Sequence, residues 1–182
     1  MEFNAVTAGV APGGLVNSSE IRILICYILK TVDEPVPATE LCNLLLYEGI
    51  ANNFEVSDSI ANLLKSGHII CVDESKQNYT VTATGEQIAK NLKTSVPITV
   101  REKACLATLK MMAQIRNANE TDFKIEREGD NTYIVCSALD TNGEIFSVKL
   151  LVTDESQATA IKNKFLESPA EIYGKIIELF TE

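Results

Sequence analysis

Asn53, Ser57, Asn62 and Lys65 are the residues whose types and spacing best suit reading another molecule. On a helix they would turn hydrogen-bonding groups toward solvent over about three turns. An asparagine amide can pair in a bidentate way with adenine, and a lysine can reach phosphate or guanine. Lys76, in the polar stretch 73–78, adds a cation able to touch a nucleic-acid backbone. Opposing charges lie close by: Glu55 and Asp58 within the same stretch, and Asp73 and Glu74 before Lys76. Residues 1–97 hold 6 basic and 11 acidic residues, a net charge of −5. A local cationic face of Arg22, Lys30 and Lys65 could offset this, because field follows the distribution of charge rather than its sum.

Catalytic chemistry has fewer candidates. His68 is the only imidazole and there is no tryptophan, so two-histidine mechanisms and histidine-rich metal sites are excluded. No nucleophile elbow, phosphate loop or dinucleotide fingerprint occurs. Thr82-Ala83-Thr84-Gly85 suits a helix cap, and the pairs Asp33-Glu34, Asp73-Glu74 and Asp154-Glu155 fall in turns or at helix starts, where solvent and the helix dipole stabilise them. The expectation is no enzyme, no catalytic residue, no cofactor and no metal. Cys26, Cys42, Cys71, Cys105 and Cys136 are odd in number and form no C-x-x-C pair. That pattern suits small buried side chains in a reducing cytoplasm rather than a disulfide framework.

The whole chain has 182 residues, 46% hydrophobic and 23% charged, with 16 basic against 25 acidic residues and a net charge of −9. Such a composition folds, and it excludes a polybasic binder held by bulk electrostatics. The longest apolar run, residues 21–29, is broken by Arg22 and far too short to span a bilayer. No Lys or Arg precedes Arg22, so the positive region of a signal peptide is missing.

The elements follow from period and punctuation. Residues 1–17, with Pro12-Gly13-Gly14, read as a mobile arm in which Leu15 and Val16 pack just before the first helix. Ser18 or Ser19 would cap a mostly buried helix over 20–30, stopped by Pro35 and Pro37. A second helix is expected over 38–47, and a third over 53–66 that buries Phe54, Ile60, Ala61 and Leu64 and ends at Gly67. A β-hairpin over 68–81 and a helix over 83–93, capped by Thr82, complete a helix-turn-helix unit with a wing.

Thr99 would cap a long helix to about residue 117, offering Val100, Ala104, Leu106, Leu109, Met112 and Ile115 for burial. Antiparallel strands follow over 122–126, 132–139 and 144–152, the last two joined by Asn142-Gly143. Phe146, Val148, Leu150 and Val152 share a face that two C-terminal helices would cover. Asp154 opens one of them, with Ala158, Ile161 and Phe165 facing inward. Ser168 to Glu171 read as a capping box for the other, with Ile172, Ile176 and Phe180 inward.

Leu64, Gly67, Ile69, Tyr79, Thr82 and Gly85 form the pattern L-x-x-G-x-I…Y-x-x-T-x-x-G, which resembles the recognition-helix end, wing and next helix of bacterial winged-helix regulators. The run Ile23 to Leu29, with Gln157-Ala158 and Ala170-Glu171-Ile172-Tyr173, is similar to an uncharacterised bacterial winged-helix family carried as a domain of unknown function. The resemblance covers most of residues 18–180 and implies the fold and a DNA-binding role; it brings no catalytic residue.

The expected architecture is therefore α+β: an N-terminal winged helix-turn-helix over 18–97, joined by a long helix to a small antiparallel three-stranded sheet covered by two C-terminal helices. The second part, residues 98–182, would serve dimerisation or sensing. The expected function is that of a DNA-binding transcriptional regulator, with Asn53, Ser57, Asn62, Lys65 and Lys76 on double-stranded DNA. Other expected features are a homodimer built on the long helix, no membrane contact, and an effector that no residue cluster names. The alternative is a winged helix that binds protein and not DNA; fold alone does not separate the two.

Overall fold

In the computed structural model, which describes residues 9–181, the chain is α+β. Its order is α1 (Ser18–Val32), β1 (Val36–Pro37), α2 (Ala38–Tyr47), α3 (Asn53–Lys65), β2 (Ile69–Asp73), β3 (Asn78–Val81), α4 (Ala83–Leu92), α5 (Ile98–Asn119), β4 (Thr121–Glu128), β5 (Asn131–Asp140), β6 (Gly143–Val152), α6 (Glu155–Glu167) and α7 (Pro169–Thr181). Two compact units result, the first ending at Met111 and the second beginning at Met112, within α5.

The first unit is organised by α1. Ile21, Leu24, Ile25, Ile28 and Leu29 are all essentially inaccessible, so this helix is enclosed on most sides, as its near-continuous apolar run implies. Each such side chain contributes about 1.5–3 kcal/mol on burial. Asn17, not Ser18 or Ser19, caps it: its side chain accepts the Ser19 N–H at 2.8 Å. Asp33, in the left-handed conformation (φ 57°), ends it before either proline. Residues 9–17 lie against the turn after α2, where Ala11 N donates to Gly49 O and Leu15 N to Ile50 O. The described part of the arm is thus pinned by backbone hydrogen bonds, with Leu15 buried; residues 1–8 lie outside the description.

The hairpin has a third strand. β1 pairs antiparallel with β3 through Val36 and Tyr79, giving the order β1-β3-β2. On α3 the apolar phase also differs from expectation. Val56, Ser59, Ile60 and Leu63 face inward, whereas Phe54 is 77% exposed and Ala61 is also exposed. Ser59, a polar residue in a core position, hides the true period.

Thr82 caps α4 as expected, its hydroxyl accepting the Gly85 N–H. The helix α5 starts at Ile98, so Thr99 lies inside its first turn. Ala104, Cys105, Thr108 and Met112 are buried along it, while Leu106 and Leu109 are exposed.

In the second unit β4-β5-β6 form an antiparallel sheet, with Asp140 opposite Gly143 across the Thr141-Asn142 turn. Ile134, Cys136, Ala138 and Val152 make its buried face with Phe165 of α6. Phe165 meets Phe123 edge-on at 5.8 Å and Phe146 at 5.6 Å, both favourable ring geometries. Asp154 caps α6 by accepting the Gln157 N–H at 2.8 Å. α7 packs through Ile172, with Tyr173 on Phe146 at 5.1 Å. Two expectations for α7 do not hold. Glu171 bonds Lys175 at 2.6 Å instead of closing a capping box, and Phe180 is 87% exposed near the helix end.

Candidate functional site

The third helix is fixed at both ends by side chains the sequence supplies locally. Asn52 accepts the Phe54 N–H at 2.8 Å to start it. At the other end Gly67, at φ +71°, lets Gly67 N donate to Leu64 O and His68 N to Leu63 O. These are the paired bonds of a Schellman turn, and they place His68 beside Leu63 at the start of β2.

The two carboxylates of α3 are both engaged. Glu55 accepts from the Ser18 hydroxyl at 2.9 Å, which draws it toward the start of α1 and off the outer face. Asp58 accepts from Asn62 Nδ2 at 2.9 Å. This bond occupies the Asn62 amide, which also donates to the Asp58 carbonyl, so both contacts of Nδ2 stay within α3. Lys65 forms no ion pair among the described residues.

The expected site residues fall on two flanks of α3. Asn53 and Ser57 line a groove of about 380 Å³ between α2, α3 and the hairpin, with Thr39, Asn43 and Gln77 as further uncharged hydrogen-bonding groups. Ser57 Oγ lies 3.8 Å from Cys42 Sγ, whose thiol is pushed up by burial. Asn62 and Lys65 line a second, larger cavity of about 630 Å³ between α1, α3 and α4. Lys76 lines neither; it sits in the hairpin turn, where Asp73 Oδ1 accepts the Ser75 hydroxyl at 2.6 Å, the Ser75 N–H at 2.9 Å and the Lys76 N–H at 3.3 Å. The Ser75 hydroxyl is the main cause holding the Asp73 carboxyl below its ordinary range.

The cationic face is composed differently from the one read in the sequence. Lys30 is paired with Glu86 at 3.7 Å, on α4. Arg22 and Lys65 do share the second cavity, and His68 joins them there. Arg22 Nη2 donates to Ser19 Oγ at 3.0 Å. Ser66 Oγ lies 2.8 Å from Asn62 O, 3.1 Å from Leu63 O and 2.6 Å from His68 Nδ1. Among the described residues no group of three or more His, Cys, Asp or Glu could hold a metal ion, and no helix is long and apolar enough to cross a membrane.

A family described as a domain of unknown function, DUF4364, matches residues 21–180. The chain belongs to that family. No curated protein and no solved structure matches it. Membership therefore extends over both units and carries no assigned activity, so any functional reading rests on the residues described above.

Proposed function

We propose that the first unit is a winged-helix DNA-binding module and that the chain acts as a transcriptional regulator, without an enzymatic role. The observation that carries this reading is the outer face of α3. Asn53 and Ser57 offer uncharged hydrogen-bonding groups on its hairpin flank and Lys65 a cation on its α1/α4 flank, while Ser18 and Asn62 engage the helix's two carboxylates. Three helices followed by a short hairpin with a third strand are consistent with α3 lying in a major groove and Lys76 approaching a phosphate. A homodimer would place two such helices about one turn of DNA apart. Leu106 and Leu109, exposed one turn apart on α5, are its candidate contacts.

The test is binding to a duplex selected from host DNA, followed by fluorescence anisotropy. Asn53→Ala or Ser57→Ala should cost about 1–3 kcal/mol of base discrimination. Lys65→Ala should weaken all sequences alike and reduce the salt slope by about 1. Variants indistinguishable from the parent would overturn the assignment of α3.

A second reading is a protein-binding winged helix. It is favoured by Phe54, 77% exposed on α3, and Tyr47, 88% exposed at the end of α2, because exposed aromatics are the usual anchors of protein interfaces. Loss of partner binding on Phe54→Ala, with DNA retention absent throughout, would select it.

A further inference from the structure

We propose that the cavity between α1, α3 and α4 binds a small amphipathic anion, a carboxylate or phosphate monoester head carried on an apolar body. Its volume of about 630 Å³ lies within the range of small-molecule sites. Arg22, Lys65 and His68 line it, and no carboxylate does, although the chain as a whole has 25 acidic residues against 16 basic. Neither Arg22 nor Lys65 is in an ion pair among the described residues, so an incoming anion displaces no carboxylate. Arg22 lies in the second turn of α1, close to the positive end of the helix dipole. Its bond to Ser19 uses one N–H of the five, leaving the fork able to take two oxygens.

The rest of the lining sets the body of the ligand. Ile23 and Leu63 are buried in the floor, Ile88 is half-buried, and Leu92 is exposed at the rim. A phosphodiester strand keeps its backbone hydrated and gains little from such a wall. An aromatic or short aliphatic group attached to an anionic head would cover it and release water. This apolar wall favours a small molecule over DNA backbone as the occupant. The two readings share Lys65, but occupancy is measured without DNA, so failure of one is distinguishable from failure of the other.

The test is a titration of the ¹⁵N-labelled full chain with phenyl phosphate and, separately, phenylacetate. Inorganic phosphate and the neutral 2-phenylethanol serve as comparison probes. At least one phenyl anion should shift the amides of Arg22, residues 63–68 and Leu92 saturably, and whichever binds tighter assigns the head group. Inorganic phosphate and 2-phenylethanol should bind at least about tenfold more weakly, each lacking half of the recognition. Arg22→Ala and Lys65→Ala should each lower affinity about tenfold or more, the usual loss for one charge-assisted hydrogen bond. Lys90→Ala, on α4 but outside the cavity lining, should leave it unchanged. Intact spectra elsewhere show that each variant is folded. The proposal is overturned if neither phenyl anion gives a saturable shift, if both cation variants bind like the parent, or if inorganic phosphate binds as well as phenyl phosphate. It is equally overturned if a DNA duplex moves these amides and the phenyl anions do not, which would make the cations a backbone clamp.

Discussion

Two helical glycines should respond in opposite directions to the same substitution. Replacing glycine by alanine inside a helix ordinarily stabilises by about 1 kcal/mol, because it restricts the unfolded chain. Gly174, within α7, follows that rule: a Cβ built there meets no atom within 4 Å and the backbone is helical. Gly85, in the first turn of α4, does not. A Cβ there falls 2.7 Å from Val81 Cγ2, 3.1 Å from the carbonyl carbon of His68, and deep inside the contact radius of the His68 carbonyl oxygen. That oxygen is anchored, accepting Thr82 N at 3.0 Å and the Thr82 hydroxyl at 3.0 Å, so α4 and β2 must separate. Overpacking of this kind costs about 1–3 kcal/mol or more, enough to cancel the propensity gain and reverse its sign.

Urea denaturation of the full chain, with native-state hydrogen exchange reporting each unit separately, measures both effects. Gly174→Ala should raise the stability of the second unit by up to about 1 kcal/mol, and Gly85→Ala should lower that of the first by about 1–2 kcal/mol net. A stabilised Gly85→Ala would refute the close approach of α4 to the His68 carbonyl, and with it the wall that α4 gives the cavity.

Three further outcomes are expected. Native-state alkylation at pH 8 should label Cys71 first, since it alone among the five thiols is not buried; Cys26, pushed up to about 11 by burial, should react only on unfolding, as mass spectrometry of the labelled peptides would show. The Asp154 carboxyl is held below its ordinary range, chiefly by the Gln157 N–H it accepts, so its contribution is complete above about pH 4 and is lost as pH falls through its lower folded value. Asp154→Asn keeps the cap and should flatten that part of the acid limb in a melting series from pH 5 to pH 2; an unchanged slope would discount this carboxyl. Leu109→Glu should yield monomers by light scattering if α5 forms the homodimer, whereas an unchanged mass would remove Leu109 from the interface.

Much of the architecture was legible because punctuation and period agreed. Gly67 after an apolar-faced helix, Thr82 before α4 and Asn142-Gly143 between β5 and β6 each act through a local bond or backbone conformation, and each lies at its element's boundary. The failures came where tertiary pairing decides. β1 has only two residues, too few to show a period, and is a strand solely because Val36 meets Tyr79. Phe54 and Phe180 fit an inward helix phase yet are exposed, because the core of α3 uses Ser59 in place of an aromatic and α7 ends beyond Ile172, through which it packs.

The candidate site divided in the same way. The exposure of Ser57, Asn62 and Lys65 followed from helix phase, whereas the hold of Asp58 on Asn62 did not. Arg22 and His68 are separated by three elements, and only the packing of α1 against α3 brings them to one cavity.

The most direct test of the central claim is retention of sheared host DNA by the purified full chain at moderate salt, with sequencing of the retained fragments. The account predicts a few sharp peaks sharing a site, which Lys65→Ala depletes uniformly and Asn53→Ala broadens in sequence. Flat retention, unchanged by either substitution and by added phenyl phosphate or phenylacetate, would contradict DNA reading by α3.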